Sequence, residues 1–307
     1  METWTVDSSD GGRLLLHSFT RPGTVPIRPG AHRGTPAEAS SGRTEGPTTA
    51  GPPPRESTGV VLVHGTLVTD KLYRPFAHNL GTLLGRPVHC YNRRGRAGSS
   101  GQPDGYSVQT EIEDLAAVME ATGSTDVVGH SYGGFVALQA ALTLPIRRLV
   151  TYDAAVSLAG SLNHRWRPEL EVAVTAGQLD HAWAHLVQGL GTAGPVSYLP
   201  MGALRMLSIV SARTRLGAEM RQLLPTAVTE MRAVLDADAE ADDFTSLTTP
   251  TLMLTGGWSP GYFAETGRQL ASIAPAVEFA VVPGQLHEGP LRPGKRLAMR
   301  MARFLNA

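Results

Sequence analysis

The sequence predicts an α/β fold: a mostly parallel central sheet with helices on both faces, interrupted by an inserted helical segment. Three observations predict it. Short apolar runs such as Val60-Val61-Leu62-Val63 read as strands buried on both faces. These runs alternate with segments of helical pattern, as parallel strands joined by crossover helices require. The stretch Val127-Val128-Gly129-His130-Ser131-Tyr132-Gly133-Gly134 reads as a strand entering a Gly-x-Ser-x-Gly turn, with a helical pattern behind it.

Taken in order, Thr3–Val6 and Arg13–Phe19 flank Asp10-Gly11-Gly12 and predict a hairpin, so residues 1–20 are read as an N-terminal hairpin of the core. Residues 21–58 are crowded with Pro, Gly, Ser, Thr and Arg and show no periodicity. They are expected to form a long disordered loop, with a flap over the active site as the functional alternative. Val60–Val63 is a strand, Tyr73–Leu84 helical, and Pro87–Tyr91 a second buried strand. Val108–Ala121 is an amphipathic helix with Ile112, Leu115, Val118 and Met119 on one face. After the Ser131 turn and its helix, Arg148–Tyr152 is a strand ending at Asp153. Residues 154–246 carry helical stretches at Leu170–Ala176, Leu179–Leu190, Ala203–Arg213 and Ala218–Leu235. Strand and helix then resume with Thr251–Thr255, Tyr262–Ile273, Val277–Val282 and Arg292–Leu305. The core is therefore assigned to 59–153 and 247–307. No internal repeat is evident.

Composition narrows the function. The 307 residues are 42% apolar, enough for one large core, with 27 basic and 27 acidic side chains. A net charge of zero gives no electrostatic reason to expect nucleic acid or an anionic membrane as partner. The single cysteine, Cys90, excludes an intrachain disulfide and a cysteine-based metal cluster, and its strand context predicts a buried, inert thiol. The N-terminal residues lack a basic-then-apolar signal pattern, and no window reaches the ~18 apolar residues of a membrane span. The expectation is a cytoplasmic protein without a membrane span. Oligomeric state is left open.

The chemistry centres on Ser131. A serine on a strained strand-to-helix turn stands clear of the backbone, the flanking glycines relieve crowding, and the following helix aims its first amides at the same point. A serine hydroxyl is a weak nucleophile and needs a base. His287 lies on the loop after the last strand, on the sheet edge where Ser131 sits, so a histidine far away in sequence can be its neighbour in space. The plain alternatives are a Gly-rich turn and an exposed loop histidine.

These residues resemble the α/β-hydrolase superfamily from about residue 59 onward. The likeness is carried by Val63-His64-Gly65, the 129–134 turn, Arg93-Arg94-Gly95-Arg96-x-Gly98-Ser99 and Pro283-Gly284-Gln285-x-His287. It implies an α/β-hydrolase fold, a cap built from residues 154–246, a triad of serine, acid and histidine, and no cofactor or metal. It also implies an oxyanion hole made by the backbone N–H groups of Tyr132 and Thr66. The acid departs from the common pattern: the loop Gly256-Gly257-Trp258-Ser259-Pro260 has no carboxylate. Some members place the acid one position after the strand that follows the elbow helix, which selects Asp153. The alternatives are an Asp153 that merely caps the next helix, Asp242 or Asp243 on the wrong side of a strand, Glu288 pointing elsewhere, or a dyad without an acid.

Other features have plainer readings. His64 is expected to be structural, bonding the elbow region. Arg93, Arg94 and Arg96 are expected to form a solvated or backbone-bonding loop rather than an anion site. His181 and His185 stand at i, i+4 but lack a third ligand in a zinc motif. The reading is a cofactor-independent serine hydrolase for an ester, thioester or related acyl bond on a small, largely apolar molecule. The same fold also supports C–C hydrolysis, lyase, perhydrolase, acyl-transfer or cyclase chemistry, and a non-catalytic ligand-binding protein is a third possibility.

Overall fold

The computed structural model describes residues 1–19, 59–292 and 294–307. The loop expected over 21–58 lies outside the described residues. Eight strands form one sheet: β1 (Glu2–Asp7), β2 (Arg13–Phe19), β3 (Val60–Val63), β4 (Val88–Tyr91), β5 (Asp126–His130), β6 (Arg148–Tyr152), β7 (Thr251–Gly256) and β8 (Val277–Val282). Their order across the sheet is β1-β2-β4-β3-β5-β6-β7-β8. The first two strands pair antiparallel at one edge, and all pairings from β4 to β8 are parallel. The order reverses direction between β3 and β5. In an open parallel sheet this leaves a crevice at the carboxyl ends of those two strands.

Alternating side chains of each strand serve opposite faces. On one face Val60, Leu62, Val88, Cys90, Val128 and Val150 pack under α1 (Asp70–Leu84) and α10 (Lys295–Asn306). On the other, Val61, Val63, Val127 and Leu149 pack under α2 (Val108–Thr122), α3 (Tyr132–Ala140) and α9 (Gly261–Ile273). Cys90 is buried in the first layer, where burial holds its thiol in the protonated form well above the ordinary pKa.

Between β6 and β7 lie α4 (Arg167–Thr175), α5 (Leu179–Leu190), α6 (Met201–Ser211), α7 (Arg215–Gln222) and α8 (Leu224–Asp236). All but α6 share a small core in which Leu170, Ala182, Leu186 and Leu224 meet Leu67 from the loop after β3. The single helix expected over Ala218–Leu235 is two helices, α7 and α8, meeting at Leu223. Pro225, in the first turn of α8, has no N–H to donate backward and its ring obstructs the preceding turn. No helix among the described residues is long and apolar enough to cross a membrane.

Candidate active site

Ser131 occupies the turn between β5 and α3 with φ 56° and ψ −122°, a conformation rare for any residue but glycine. The neighbouring glycines make the turn sterically feasible. A Cβ on Gly133 would lie 2.2 Å from the Val63 carbonyl oxygen, and one on Gly129 would lie 2.5 Å from that of Gly133. Strands β3 and β5 can approach the first turn of α3 only because these positions lack side chains.

His287 lies after β8, and its imidazole is mostly buried. Nδ1 stands 3.0 Å from Asp153 Oδ2 and Nε2 stands 3.1 Å from Ser131 Oγ. A carboxylate can only accept, so Nδ1 carries the proton and Nε2 is left free to accept from the serine hydroxyl. The ring stacks on Phe263 with 5.2 Å between centroids and 14° between planes. Tyr152 Oη donates to the Leu286 carbonyl at 2.7 Å and steadies the same loop.

Asp153 follows β6 at φ 45° and is 1% exposed. Its Oδ1 accepts from Thr255 Oγ1 at 2.6 Å and from the Gly256 N–H at 3.1 Å. Its Oδ2 accepts from Ser259 Oγ at 2.6 Å as well as from His287. Burial works to raise the carboxyl pKa. The hydrogen bond and charge of His287 and the two hydroxyl donors outweigh it, and the pKa falls below the ordinary aspartate value. The strand after which an acid was sought, β7, thus supplies donors to a carboxylate that comes from β6. Asp242 and Asp243 lie in a 3₁₀ turn, where Asp243 Oδ2 accepts from the Glu240 N–H instead.

The loop after β3 passes over Ser131: a Cβ on Gly65 would lie 3.0 Å from Ser131 Cβ. Thr66 follows Gly65, and Tyr132 opens α3, so both residues follow strands between which the strand order reverses. Three of the four non-glycine residues with positive φ among the described residues stand in this region: Leu67, Ser131 and Asp153. Strain collected at one place is common where geometry serves chemistry.

Several supporting residues carried no sequence signal. His130 Nε2 donates to the His287 carbonyl at 2.9 Å, so its Nδ1 must accept, and it does so from Tyr73 Oη at 2.5 Å. Tyr73 Oη in turn accepts from the Gly65 N–H at 3.0 Å. Burial, and then the nearby His287, push the His130 pKa down to about 3, which keeps this tautomer neutral. His64 is structural, but it bonds elsewhere than expected. It reaches the Gly65 carbonyl through Nδ1 at 2.9 Å and accepts from the Arg93 N–H through Nε2 at 3.1 Å.

The arginine loop bonds backbone carbonyls, one of the two expectations for it, and corrects the other. Arg93, Arg94 and Arg96 are buried rather than solvated. Arg93 pairs with Glu111 at 2.7 Å and with Glu230 of α8 at 2.9 Å, and it also donates to the His64 and Gly65 carbonyls. Arg96 pairs with Glu230 at 2.5 Å, and Arg94 with Asp114 and Asp10. Burial favours protonation of Glu230, but the charges of Arg93 and Arg96 lower its pKa overall. The Arg93 guanidinium also sits 4.6 Å from the centre of the Tyr132 ring. The reason for burial is topological: α8 brings a carboxylate over the loop, and buried guanidinium groups demand such partners.

His181 and His185 line a cavity of about 320 Å³ within the helical segment, with Glu169 and Gln178. Among the described residues no group of three or more His, Cys, Asp or Glu side chains is arranged to hold a metal ion.

Comparison with known proteins agrees with this architecture. The sequence model of the alpha/beta hydrolase family matches residues 60–298. The lipase LipV of Mycobacterium tuberculosis is 31% identical over 106 residues, 33% of this chain and 39% of its own length. A putative carbamate hydrolase, RutD of Variovorax paradoxus, is 33% identical over 99 residues, 31% of this chain and 36% of its own length. The matches thus span well under half of these curated relatives. Among solved structures, an alpha/beta hydrolase from Sphaerobacter thermophilus superposes with TM-score 0.71 at 25% identity, covering 98% of this chain and 100% of that one. The enol-lactonase of Burkholderia xenovorans superposes with TM-score 0.67 at 15% identity over the whole of both chains.

Proposed function

The chain belongs to the alpha/beta hydrolase family, and on that premise we propose that it is a cofactor-independent serine hydrolase that cleaves an ester, thioester or related acyl bond through an acyl-enzyme on Ser131. The observation that carries this reading is the unbroken line of hydrogen-bonding atoms from Asp153 Oδ2 through His287 to Ser131 Oγ, at 3.0 and 3.1 Å. The lipase and carbamate hydrolase among the partial relatives fit the same class of chemistry.

Ser131 Oγ attacks the substrate carbonyl carbon while His287 Nε2 takes its proton. Asp153 holds Nδ1–H and stabilises the imidazolium that forms. The carbonyl oxygen becomes an oxyanion between the N–H groups of Thr66 and Tyr132. Each donor of this kind lowers the barrier by about 2.7–4 kcal/mol. Collapse of the tetrahedral intermediate breaks the bond to the leaving group, which leaves with the proton from His287. Water then attacks the acyl-enzyme with His287 as base, and a second collapse frees the acid and restores Ser131. The helices between β6 and β7 roof the site, shape the pocket and limit water during acylation.

Asp153 fills the place that the turn at 256–260 leaves without a carboxylate, so that turn gives no ground to prefer non-hydrolytic chemistry. The test is intact-protein mass spectrometry after fluorophosphonate treatment, with peptide mapping. One adduct on Ser131, absent in Ser131→Ala and His287→Ala, is expected. A folded protein that takes no adduct, or one whose Ser131→Ala variant keeps full turnover on a substrate of the wild type, would sink the proposal.

A further inference from the structure

Helix α6 carries an outward face that packing within the chain does not account for. It buries only Leu204 and Ser208, and the Ser208 hydroxyl has no hydrogen-bond partner among the described residues. Met206, Leu207, Ile209 and Val210 are 60, 39, 40 and 51% exposed. At about 100° per residue Met206, Ile209 and Val210 fall on the arc opposite Leu204 and Ser208, and Leu207 lies at its flank. The helix therefore turns four large apolar side chains outward while it buries a hydroxyl beside Leu204. Tyr198, just before α6 in the chain, is 84% exposed, and Leu216, just after it, 44%. An exposed apolar cluster of this extent marks an interaction surface.

Charge identifies what covers it. Residues 201–222 hold four arginines (Arg205, Arg213, Arg215 and Arg221) against one acid, Glu219, within a chain of zero net charge; Arg205 pairs with Asp180 and Arg215 with Glu219. Arg213 is exposed, and the Arg215 side chain is 85% exposed. The segment before α6 approaches the active-site loops. A Cβ on Gly194 would lie 3.5 Å from Leu286 Cδ2, beside His287, and one on Gly191 would lie 3.8 Å from Pro260 Cγ. The segment leading into α6 thus rests on the two loops that carry His287 and Ser259.

We propose that α6 and its flanks dock on an anionic lipid surface, from which the acyl substrate passes to Ser131; this rests on the acyl-hydrolase reading above. Apolar side chains on such a helix enter the headgroup–acyl boundary, and the arginines bind lipid phosphates. A second copy of the chain fits less well, because a two-fold contact sets the same arginines against each other. The zero net charge of the whole chain hides this local asymmetry.

The experiment is co-sedimentation of the full chain with vesicles of phosphatidylcholine alone and of equimolar phosphatidylcholine and phosphatidylglycerol, at low and high salt. The wild type is expected to pellet with the anionic vesicles and to release as salt rises. The double variant Met206→Glu/Val210→Glu is expected to lose most of this binding while keeping wild-type turnover of a short, water-soluble ester. Wild-type protein that stays in the supernatant, or a double variant that pellets like the wild type, would overturn the proposal. So would sedimentation velocity showing a dimer that the double variant converts to monomer, which assigns the face to a second copy. Ser131→Ala is expected to pellet normally. Vesicle binding together with undiminished turnover of Ser131→Ala would leave the docking face standing and overturn only the acyl reading.

Discussion

The imidazole of His130 donates through Nε2 to the backbone carbonyl of His287 at 2.9 Å. The residue just before the nucleophile of the proposed reaction therefore holds the backbone of its base. Tyr73 closes the same chain onto Gly65, so the turn, the base loop and the loop over Ser131 are tied by one hydrogen-bonded path. His130→Ala should lower kcat by about 10²-fold, the loss that a misplacement of about 1 Å produces. His130→Gln, which retains an amide donor, should recover part of it. Steady-state kinetics with circular dichroism as a folding control checks this. An alanine variant with normal kcat would remove His130 from the positioning role.

Asp153→Asn should keep the fold and lower kcat by about 10⁴-fold, since an amide cannot hold the correct imidazole tautomer or offset its charge. Because the Asp153 pKa is lowered, the stability it adds is present above the ordinary carboxylate range and disappears as pH falls through the depressed value. The asparagine variant should therefore lose the part of the wild-type acid dependence that lies in that low range. Burst kinetics and urea titrations at several acid pH values measure both effects.

Buried histidines, His64 and His17 among them, predict a second acid dependence at higher pH. Burial lowers the His89 pKa to about 4, and His130 is held at about 3. Below about pH 6.5 the unfolded chain takes up protons that the folded chain refuses, so stability falls with pH. The slope approaches ~1.4 kcal/mol per pH unit for each histidine, and the effect is absent above neutrality. Neither ring nitrogen of His89 has a partner among the described residues, so His89→Leu should remove one histidine's share, ~1.4 kcal/mol per pH unit, from the slope between pH 6 and 4. An unchanged slope in urea denaturation would contradict the assignment.

Glu230 joins α8 to two buried arginines of the core loop. Glu230→Ala should destabilise by about 3–5 kcal/mol, because it leaves buried guanidinium charge uncompensated. Equilibrium denaturation reads this directly. A loss under about 1 kcal/mol would mean that water replaces the carboxylate.

Gly133→Ala tests the turn itself. The added methyl would meet the Val63 carbonyl oxygen at 2.2 Å, so β3 and α3 must separate. A loss of about 1–3 kcal/mol is expected, with fluorophosphonate labelling of Ser131 slowed out of proportion to the change in fold.

Much of this was legible in the sequence because the relevant signals are local. Continuous apolar runs announce strands covered on both faces, as at Val60–Val63 and Val127–Val128. The glycines around Ser131 announce a turn that no other residue permits. The order of Ser131 before His287 follows from loops gathering at one sheet edge. The break at Leu223 was missed although Pro225 marks it, because the apolar period runs through the proline undisturbed. For the arginine loop the backbone bonding was legible and the burial was not. Whether a guanidinium is solvated depends on what covers it, and Glu230 lies far along the chain on another element.

The sequence by itself determined the alternation of strand and helix, the strained serine turn and the edge of the sheet on which chemistry can occur, since each depends on residues close together in the chain. Only the tertiary structure decided that Asp153 faces His287, that Ser259 donates to that carboxylate rather than replacing it, and that His130 holds the base loop. It also decided that α6 turns its apolar residues outward. The periodicity of a helix shows that it has an apolar face, but which way that face points depends on neighbours that the local sequence does not contain.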